Sequence, residues 1–387
     1  MSRIDDLIQE LCPAGVEFKT LEEVFRIRNG FTPSKSKEEY WSEGDVPWFR
    51  MEDIRKNGRL LDFAIQSVNK SALKASGPFE SNSLIFATTA TIGEHALITI
   101  PFLANQRFSV LTLHEAFKAL VEPKFAFYVG FNLSAYCHTI TNVSGFASVE
   151  MDKFKKFQFP LPPIEVQREI VSILDKFTEL EAELEAELEA RRNQFDYYLE
   201  KLVAIHENQL DSSNKVLKLS DVLKIKNGKG YSHLNIGEIP VYGSGGIMTF
   251  VDDYCAIGPS VLIPRKGSLG NLFYVEGEFW NVDTIFNTEI NEEVAIPKYV
   301  YWYLKNLDLA AMNLAGGVPS LTQTMLNHLP IKIPNLATQE QIVATLDKLD
   351  QLLNSSDSGL TGELLNRRKQ YEHYRDKLLT FKELKSA

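Results

Sequence analysis

Two long stretches of the chain place apolar residues about 3.5 positions apart and fill the places between them with charge. In the first, Ile170, Ile173, Phe177, Leu180, Leu184, Leu188, Phe195, Tyr198 and Leu202 keep that spacing, broken at Arg191. In the second, Ile342, Leu349, Leu352, Ser356, Leu360, Leu364, Tyr371, Tyr374, Leu378 and Phe381 do much the same. A stripe this narrow suits one partner helix better than a globular core. Each stretch is therefore predicted to be a helical rod, with a seam carried by Ile170, Phe177, Leu184, Leu188, Phe195 and Leu202 in one and by Ile342, Leu349, Leu364, Tyr371 and Leu378 in the other. Pro162-Pro163 opens the first rod, and Thr338 with Gln341 three residues later reads as a capping box for the second. About 44 residues of helix make a rod of roughly 66 Å. In the second, the run NSSDSGLTGE at 354–363 should loosen or kink the helix, since glycine and serine are poor helix formers.

Elsewhere the pattern shortens. Ile4, Leu7, Ile8 and Leu11 fall at helical spacing and stop before Pro13 and Gly15, which predicts a short amphipathic arm. From residue 21 to 164, β-rich runs (SLIFATT, HALITI, FSVLTL) are punctuated by Gly, Pro and Asn, and PKFAFYVGFNLSAYCHTI reads as a helix begun by Pro123. Residues 209–337 repeat the theme with PSVLIP, NLFYV and IFNTEI, then a helix begun by Pro297. Both globules are mixed α/β, of the α+β kind. The expected order is an arm (1–20), a first globular domain (21–164), a central helix (165–208), a second globular domain (209–337) and a C-terminal helix (338–387).

The chain also repeats itself. PPIEVQREIVSILDKF at 162–177 returns as PNLATQEQIVATLDKL at 334–349, matching Gln167, Ile170, Val171, Leu174, Asp175 and Lys176 with Gln339, Ile342, Val343, Leu346, Asp347 and Lys348. That shift of 172 also relates Gly145 to Gly317 and Ser148 to Ser320. Further on, ELEARRNQFDYYLEKLV at 187–203 answers ELLNRRKQYEHYRDKLL at 363–379 at a shift of 176, so the second copy has gained four residues inside its helical stretch. Towards the start, LEEVFRIRNG at 21–30 pairs with LSDVLKIKNG at 219–228 at 198, and the shift then falls through 193 (Pro47/Pro240) to about 177 (Gly93/Gly270). The copies keep a frame and differ in their loops. Two similar globules joined to rods suggest a protein that grips something at two places.

Charge narrows what that something can be. The net charge of −10 looks wrong for a nucleic-acid binder, but residues 165–209 alone carry 12 acids against 5 bases, while 21–164 is at +1 and 210–337 at −2. The globules are near neutral, so binding a polyanion would need local basic clusters and a more basic partner. No long apolar run suggests a membrane span, and residues 1–11 lack the basic-then-apolar order of a signal peptide. Cys12, Cys137 and Cys255 are scattered and odd in number, as expected of buried thiols in a cytoplasmic protein.

Catalytic motifs are missing. The one Gly-Lys pair, Gly228-Lys229, is followed by glycine, so no phosphate loop exists. There is no Asn-Pro-Pro-aromatic motif of the kind amino-methyltransferases use, and the seven histidines show no metal-ligand spacing. Gly243-Ser244-Gly245-Gly246 reads as a turn. Neither a catalytic site nor a metal or cofactor of the chain's own is expected.

Four features in order now carry a resemblance: LCPAGVEFKTLEEVFRIRNGFTPSK at the start, YWSEGDVPWFRMEDI, the FPLPPIEVQREIVSILDKF run, and the ELEA-ELEA-ELEA repeat at 179–190. Together they resemble the specificity subunits of type I restriction-modification systems, over nearly the whole chain. The resemblance implies two target-recognition domains related by an internal pseudo-twofold and joined by two long helices in an antiparallel coiled coil. It implies a non-catalytic subunit of a bacterial or archaeal cytoplasm that reads a bipartite double-stranded DNA site. Partners would be two methyltransferase subunits, which use S-adenosylmethionine, and restriction or translocase subunits that use ATP and Mg. The four-residue repeats would set the distance between half-sites. The glycine- and serine-containing 354–362 departs from a uniform second rod.

Under that reading the candidate DNA contacts in the first domain are Lys35, Lys37, Arg50, Arg55, Lys56, Arg59 and the hydroxyl run Thr88, Thr89 and Thr91. In the second they are Tyr242, Ser244, Arg265, Lys266, Ser268 and Asn271. Lysines neutralise phosphates, arginine can be bidentate to guanine, and short hydroxyls reach base edges. Trp48, Trp280 and Trp302 are expected in cores or at domain interfaces rather than as base-stacking platforms. A coiled-coil scaffold that joins proteins without reading DNA is the alternative, and the recognition half of a fused restriction-methylation enzyme is a third reading.

Overall fold

The computed structural model describes residues 3–142, 147–208, 215–312, 320–355 and 359–384. The chain divides into two compact units, Met1–Ala182 with Asn366–Ala387, and Glu183–Leu365. Six helices carry the long-range packing: α1 (Arg3–Leu11), α2 (Pro123–Thr139), α3 (Ile164–Asn208), α4 (Pro297–Asn306), α5 (Leu336–Asn354) and α6 (Leu360–Leu378).

In the first unit the β-rich runs become strands Ser83–Ala87, His95–Ile98 and Phe108–Leu113, the buried middle of a five-stranded sheet edged by Phe25–Asn29 and Leu60–Leu61. Alternation along the strands serves two cores. Phe86, Leu97 and Leu111 face α2 through Phe125, Val129 and Leu133. Ile85, Ile98 and Val110 join Phe49 and Phe102 on the other side, towards a three-stranded sheet of Val46–Phe49, Ser67–Val68 and Leu103–Ala104. The second unit repeats this with two four-stranded sheets, and α4 buries Tyr299, Val300, Trp302 and Leu304 against Val261, Ile263 and Phe286.

Strand pairing reproduces the repeat residue for residue. Phe25 faces Leu113 as Leu223 faces Ile290, and Thr20 faces Gln158 as Lys218 faces Pro330. In the parallel pair, Trp48 faces Leu103 and Val241 faces Trp280, so the two copies exchange the large and the small partner. Either indole then donates to the same carbonyl of the frame, Phe31 O at 3.1 Å or Lys229 O at 2.9 Å. The matched Gly30 and Gly228 lie against the backbones of 104–105 and 281–282, where a Cβ would collide. Ser148 and Ser320 bridge Thr89 and Lys266; Gly145 and Gly317 lie outside the described residues.

The matched glutamines have a shared task. Gln167, fully buried, accepts from Glu122 N (2.9 Å) and donates to Leu120 O and Pro162 O. Gln339 accepts from Ile296 N (2.8 Å) and donates to Val294 O and Pro334 O. Each ties the start of its rod to the loop before the domain's helix. The matched aspartates continue the contact: Asp175 takes Lys124 (2.6 Å) and Tyr128 OH (2.7 Å), while Asp347 takes Trp302 Nε1 (2.8 Å) and Lys298 (3.8 Å).

The first rod is the continuous 45-residue α3. Its opening turns do not form a seam against one helix: Val166, Ile170, Val171 and Leu174 are buried in the first domain's core. Beyond them Phe177 packs on Tyr371 and Tyr374 of α6 (centroids 6.4 and 5.5 Å), and Glu181 takes Arg368 at 2.6 Å, so the helices run antiparallel. In the second unit Leu188, Phe195, Leu199 and Val203 of α3 share a core with Ile342, Leu346, Leu353 and Leu364, with Leu184, Leu202 and Leu349 packed at its margin. Leu180 and Leu352, expected on the seams, are exposed, because a helix of 3.6 residues per turn drifts off a 3.5 spacing and buries Leu353 instead.

The second rod is not one helix. α5 ends at Asn354 and α6 starts at Leu360, and the Cβ that any other residue would add at Gly359 would lie 2.6 Å from Ser355 O. The four residues gained by the second copy fall in this stretch, between Lys348 and Arg367; Ser356 lies outside the described residues. The capping box at Thr338 and Gln341 is replaced by a cap one turn earlier, where Asn335 accepts from Thr338 N (2.9 Å) and Thr338 Oγ1 (3.0 Å). The amphipathic arm forms as expected, burying Ile4, and Val16 N donates to Lys382 O while Leu384 N donates to Val16 O. The chain's beginning and end therefore close on each other within the first unit.

Candidate nucleic-acid interface

In the first unit, the turn after Phe25–Asn29 and the strand Val46–Phe49 open a cleft of about 590 Å³. Lys35 and Arg50 line it, as do Thr32, Gln66, Asn105 and Gln106, over a floor of Trp41 and Trp48 packed edge to face at 5.0 Å. Arg50 sits against the Trp48 ring (5.5 Å) and reaches Glu52 (3.3 Å), while its Nε is buried without a protein partner. Asn105 donates to Thr32 Oγ1 (3.3 Å), which also bonds Gln106. Amides, a hydroxyl and an arginine are the groups that read base edges. The four residues Thr32, Gln66, Asn105 and Gln106 were not singled out from sequence. The available signal was position: Thr32 follows the matched Gly30, and Asn105-Gln106-Arg107 is a polar run between two strands.

Other first-domain candidates go elsewhere. Lys37 bonds Tyr40 OH at 2.9 Å, which holds its ammonium above the usual lysine range. Arg55 and Lys56 are exposed on the helix Met51–Asn57, Lys56 paired with Glu52 at 2.7 Å. Thr88 is buried with its hydroxyl on Ser109 (3.2 Å), Thr89 is half-buried, and Thr91 caps a turn by accepting from Glu94 N (3.2 Å). Arg59 leaves the cleft altogether: it bonds Glu94 (3.0 Å) and His95 O (3.3 Å) beside the Lys124–Asp175 pair, in a second cleft against α3 and α6. Burial and the hydrogen bond to Asp175 push the Tyr128 hydroxyl there well above its ordinary value.

In the second unit the candidates do come together. Ser244, at the turn of the ribbon Ile236–Gly243 and Gly246–Val251, accepts at its carbonyl from Asn271 Nδ2 (3.1 Å), and its N–H donates to Thr284 Oγ1 (3.3 Å). Arg265 and Lys266 donate their N–H groups to Thr284 O (2.9 and 3.3 Å), and Ser268 O accepts from Asn271 N. Thr284 is thus the hub that sequence reasoning missed. Tyr242 packs below on Phe273 and Phe279, and burial raises its hydroxyl's pKa. The frame makes the comparison with the first unit direct. Thr88 N donates to Arg107 O as Arg265 N donates to Thr284 O, and Val149 N to Thr88 O as Leu321 N to Arg265 O. Arginine and threonine have changed places across one conserved pair of backbone positions.

No cluster of metal-ligating side chains and no helix long and apolar enough to cross a membrane occurs among the described residues. Cys12 and Cys137 are buried and Cys255 partly so, with burial raising each thiol's pKa, Cys137 to about 12. Trp48, Trp280 and Trp302 are core residues.

The family model for the type I restriction modification DNA specificity domain matches the chain twice, at residues 13–190 and 212–365. The chain belongs to the type I specificity-subunit family. It is 39% identical over 374 residues to the Escherichia coli type I restriction enzyme EcoprrI specificity subunit, covering 92% of each chain. A putative type I specificity subunit of Haemophilus influenzae, S.HindORF215P, is 32% identical over 264 residues, 61% of this chain and 66% of that one. Among solved structures, the S subunit from M. genitalium has the same fold at a TM-score of 0.56 and 20% identity, covering 94% of this chain and 95% of that one. A chain from a study of type I R-M complex assembly and conformational transition reaches 0.67 at 18%, covering 95% and 98%. As a type I specificity subunit the chain is a recognition component with its domain duplicated, which is the architecture both units display.

Proposed function

We propose that the chain reads a bipartite double-stranded DNA site, residues 21–164 reading one half and 209–337 the other, while the helices 165–208 and 338–387 set the spacer and dock methyltransferase subunits. One observation carries this reading: two copies of a frame, matched down to strand register, differ at equivalent positions, where the buried Thr88 and exposed Arg107 of one answer to the half-buried Arg265 and Thr284 of the other. A frame kept constant with its surface chemistry changed suits readers of two different sequences.

The chemistry then belongs to partners. Two methyltransferase subunits using S-adenosylmethionine, and restriction or translocase subunits using ATP and Mg, would assemble on this chain in a bacterial or archaeal cytoplasm. The relatives' printed names as restriction-enzyme specificity subunits support this, as does the absence of a catalytic motif from the sequence. Genome-wide mapping of methylated adenines, with and without the gene, tests it. The expected result is one bipartite motif that loses methylation on deletion. A methylome unchanged by deletion would favour the coiled-coil scaffold.

A further inference from the structure

The frame is not duplicated everywhere. After the matched strand pair of Trp48 and Val241, the first unit turns into the helix Met51–Asn57, whereas the second runs on into the ribbon Ile236–Gly243 and Gly246–Val251. We propose that this ribbon enters the major groove and reads a thymine through the side chain of Met248. The proposal deepens the reading of the chain as a DNA-specificity subunit and rests on it.

Four observations meet at this residue. Val241 pairs with Thr249 and Tyr242 with Ile247, so Met248 is the extra residue of a β-bulge, a device that re-aims a side chain. It stays 57% exposed beside Ile247 and Phe250, so this strand of the ribbon turns apolar side chains to solvent. Its Sδ lies 2.6 Å from where a Cβ on Gly243 would stand, and Thr284 Oγ1 lies 3.5 Å from the same point, so the thioether rests across the bare turn beside the polar hub. Lastly, Gly245 and Gly270, on the turn and on the loop facing it, have no left-handed φ and nothing within 4 Å of where a Cβ would go. Glycine leaves both places bare of side chains, which gives another molecule room for a close approach.

The chemistry selects the occupant. The major groove is about 12 Å wide, enough for a two-stranded ribbon, and thymine shows there a methyl group beside an acceptor oxygen. Met248 lies beside the turn whose Ser244 bonds Thr284 and Asn271, and so offers an apolar contact next to hydrogen-bonding groups.

The test uses the chain assembled with its methyltransferase subunits and a duplex carrying the mapped site, with each thymine of the second half-site replaced in turn by deoxyuridine. At one position or more, loss of the 5-methyl group is expected to weaken binding about fourfold, the effect of one buried methyl. That penalty should vanish in Met248→Ala and persist in Met248→Leu. Gly245→Ala should keep the thermal midpoint and bind the site more weakly. No penalty at any thymine, a second half-site without thymine, or a penalty undiminished in Met248→Ala overturns the proposal. So does a Met248→Ala chain that fails only to assemble, which would make the ribbon a protein-docking face. Failure of the wild-type complex to select any sequence would instead refute the functional reading beneath it.

Discussion

Gln167 and Gln339 show how a single side chain can be the reason a repeat is visible. Each is fully buried and satisfies one N–H and two carbonyls of main chain that no sheet or helix reaches. Replacing Gln167 by Leu keeps the volume but strands three polar groups, each costing about 1–3 kcal/mol when buried unmade, partly relieved by relaxation. The expected loss is about 3 kcal/mol for Gln167→Leu in the first unit and as much for Gln339→Leu in the second, read from denaturant midpoints. A loss below 1 kcal/mol would mean that the loops hold themselves. His95 makes a prediction with a sign. It is wholly buried among Phe86, Phe127 and Phe131, and desolvation pulls its pKa from 6.5 to about 4. The folded value lies below the unfolded one, so its stabilising contribution is complete above pH 6.5 and drains away as pH falls from 6.5 towards 4. About 1.4 kcal/mol per pKa unit makes the loss about 3 kcal/mol. Denaturant titrations at stepped pH check it; a flat profile across that window would show that His95 is reached by water.

Elements were legible where their period was long or their punctuation strong. Pro123 and Pro297 open α2 and α4, and the runs SLIFATT, HALITI and FSVLTL are the central strands. The ribbon Ile236–Gly243 and Gly246–Val251 was not legible, because its exposed Ile247, Met248 and Phe250 break the alternation of a half-buried strand. The cleft of the first unit was half legible: Lys35 and Arg50 stand out by charge, but Gln66 and Asn105 join them only through sheet pairing between segments distant in sequence. The seams misplaced Leu180 and Leu352 through the difference between 3.5 and 3.6 residues per turn. The rod itself supports a deletion experiment. Removing residues 183–186, one ELEA unit, takes out four residues of α3, about 6 Å of length and a rotation of one turn plus roughly 40°. Four residues nearly restore the helical phase, so the apolar stripe should persist. With a duplex rise of 3.4 Å per base pair, the methylated sites should keep both half-site sequences and shorten their spacer by about one to two base pairs. An active complex with an unchanged spacer would show that these repeats are no ruler.

The whole molecule separates recognition into parts that carry their own cores, and two consequences can be measured. Exchanging residues 21–164 for the corresponding domain of a relative should change one half of the methylated motif and spare the other, because each domain keeps its own sheets and core. A motif altered in both halves would mean that the domains read jointly. Charge supplies the last expectation. The net charge is −10, and of the basic candidates Lys37, Lys56 and Arg59 already have partners at 2.7–3.0 Å. Affinity for DNA rises with the number of phosphates neutralised, and each such contact adds to the dependence on salt. A molecule that is acidic overall, and whose central helix carries 12 acids against 5 bases over residues 165–209, is expected to bind a polyanion weakly by itself. The isolated chain should therefore bind its mapped duplex weakly and with a shallow salt slope. The assembled complex should bind tightly and with a steep one, on the proposal that the partners bring most of the phosphate contacts. Titrating one labelled duplex with each species over a series of salt concentrations decides the matter: tight, steeply salt-dependent and sequence-selective binding by the chain alone would place the phosphate contacts in this chain and remove the need for a basic partner.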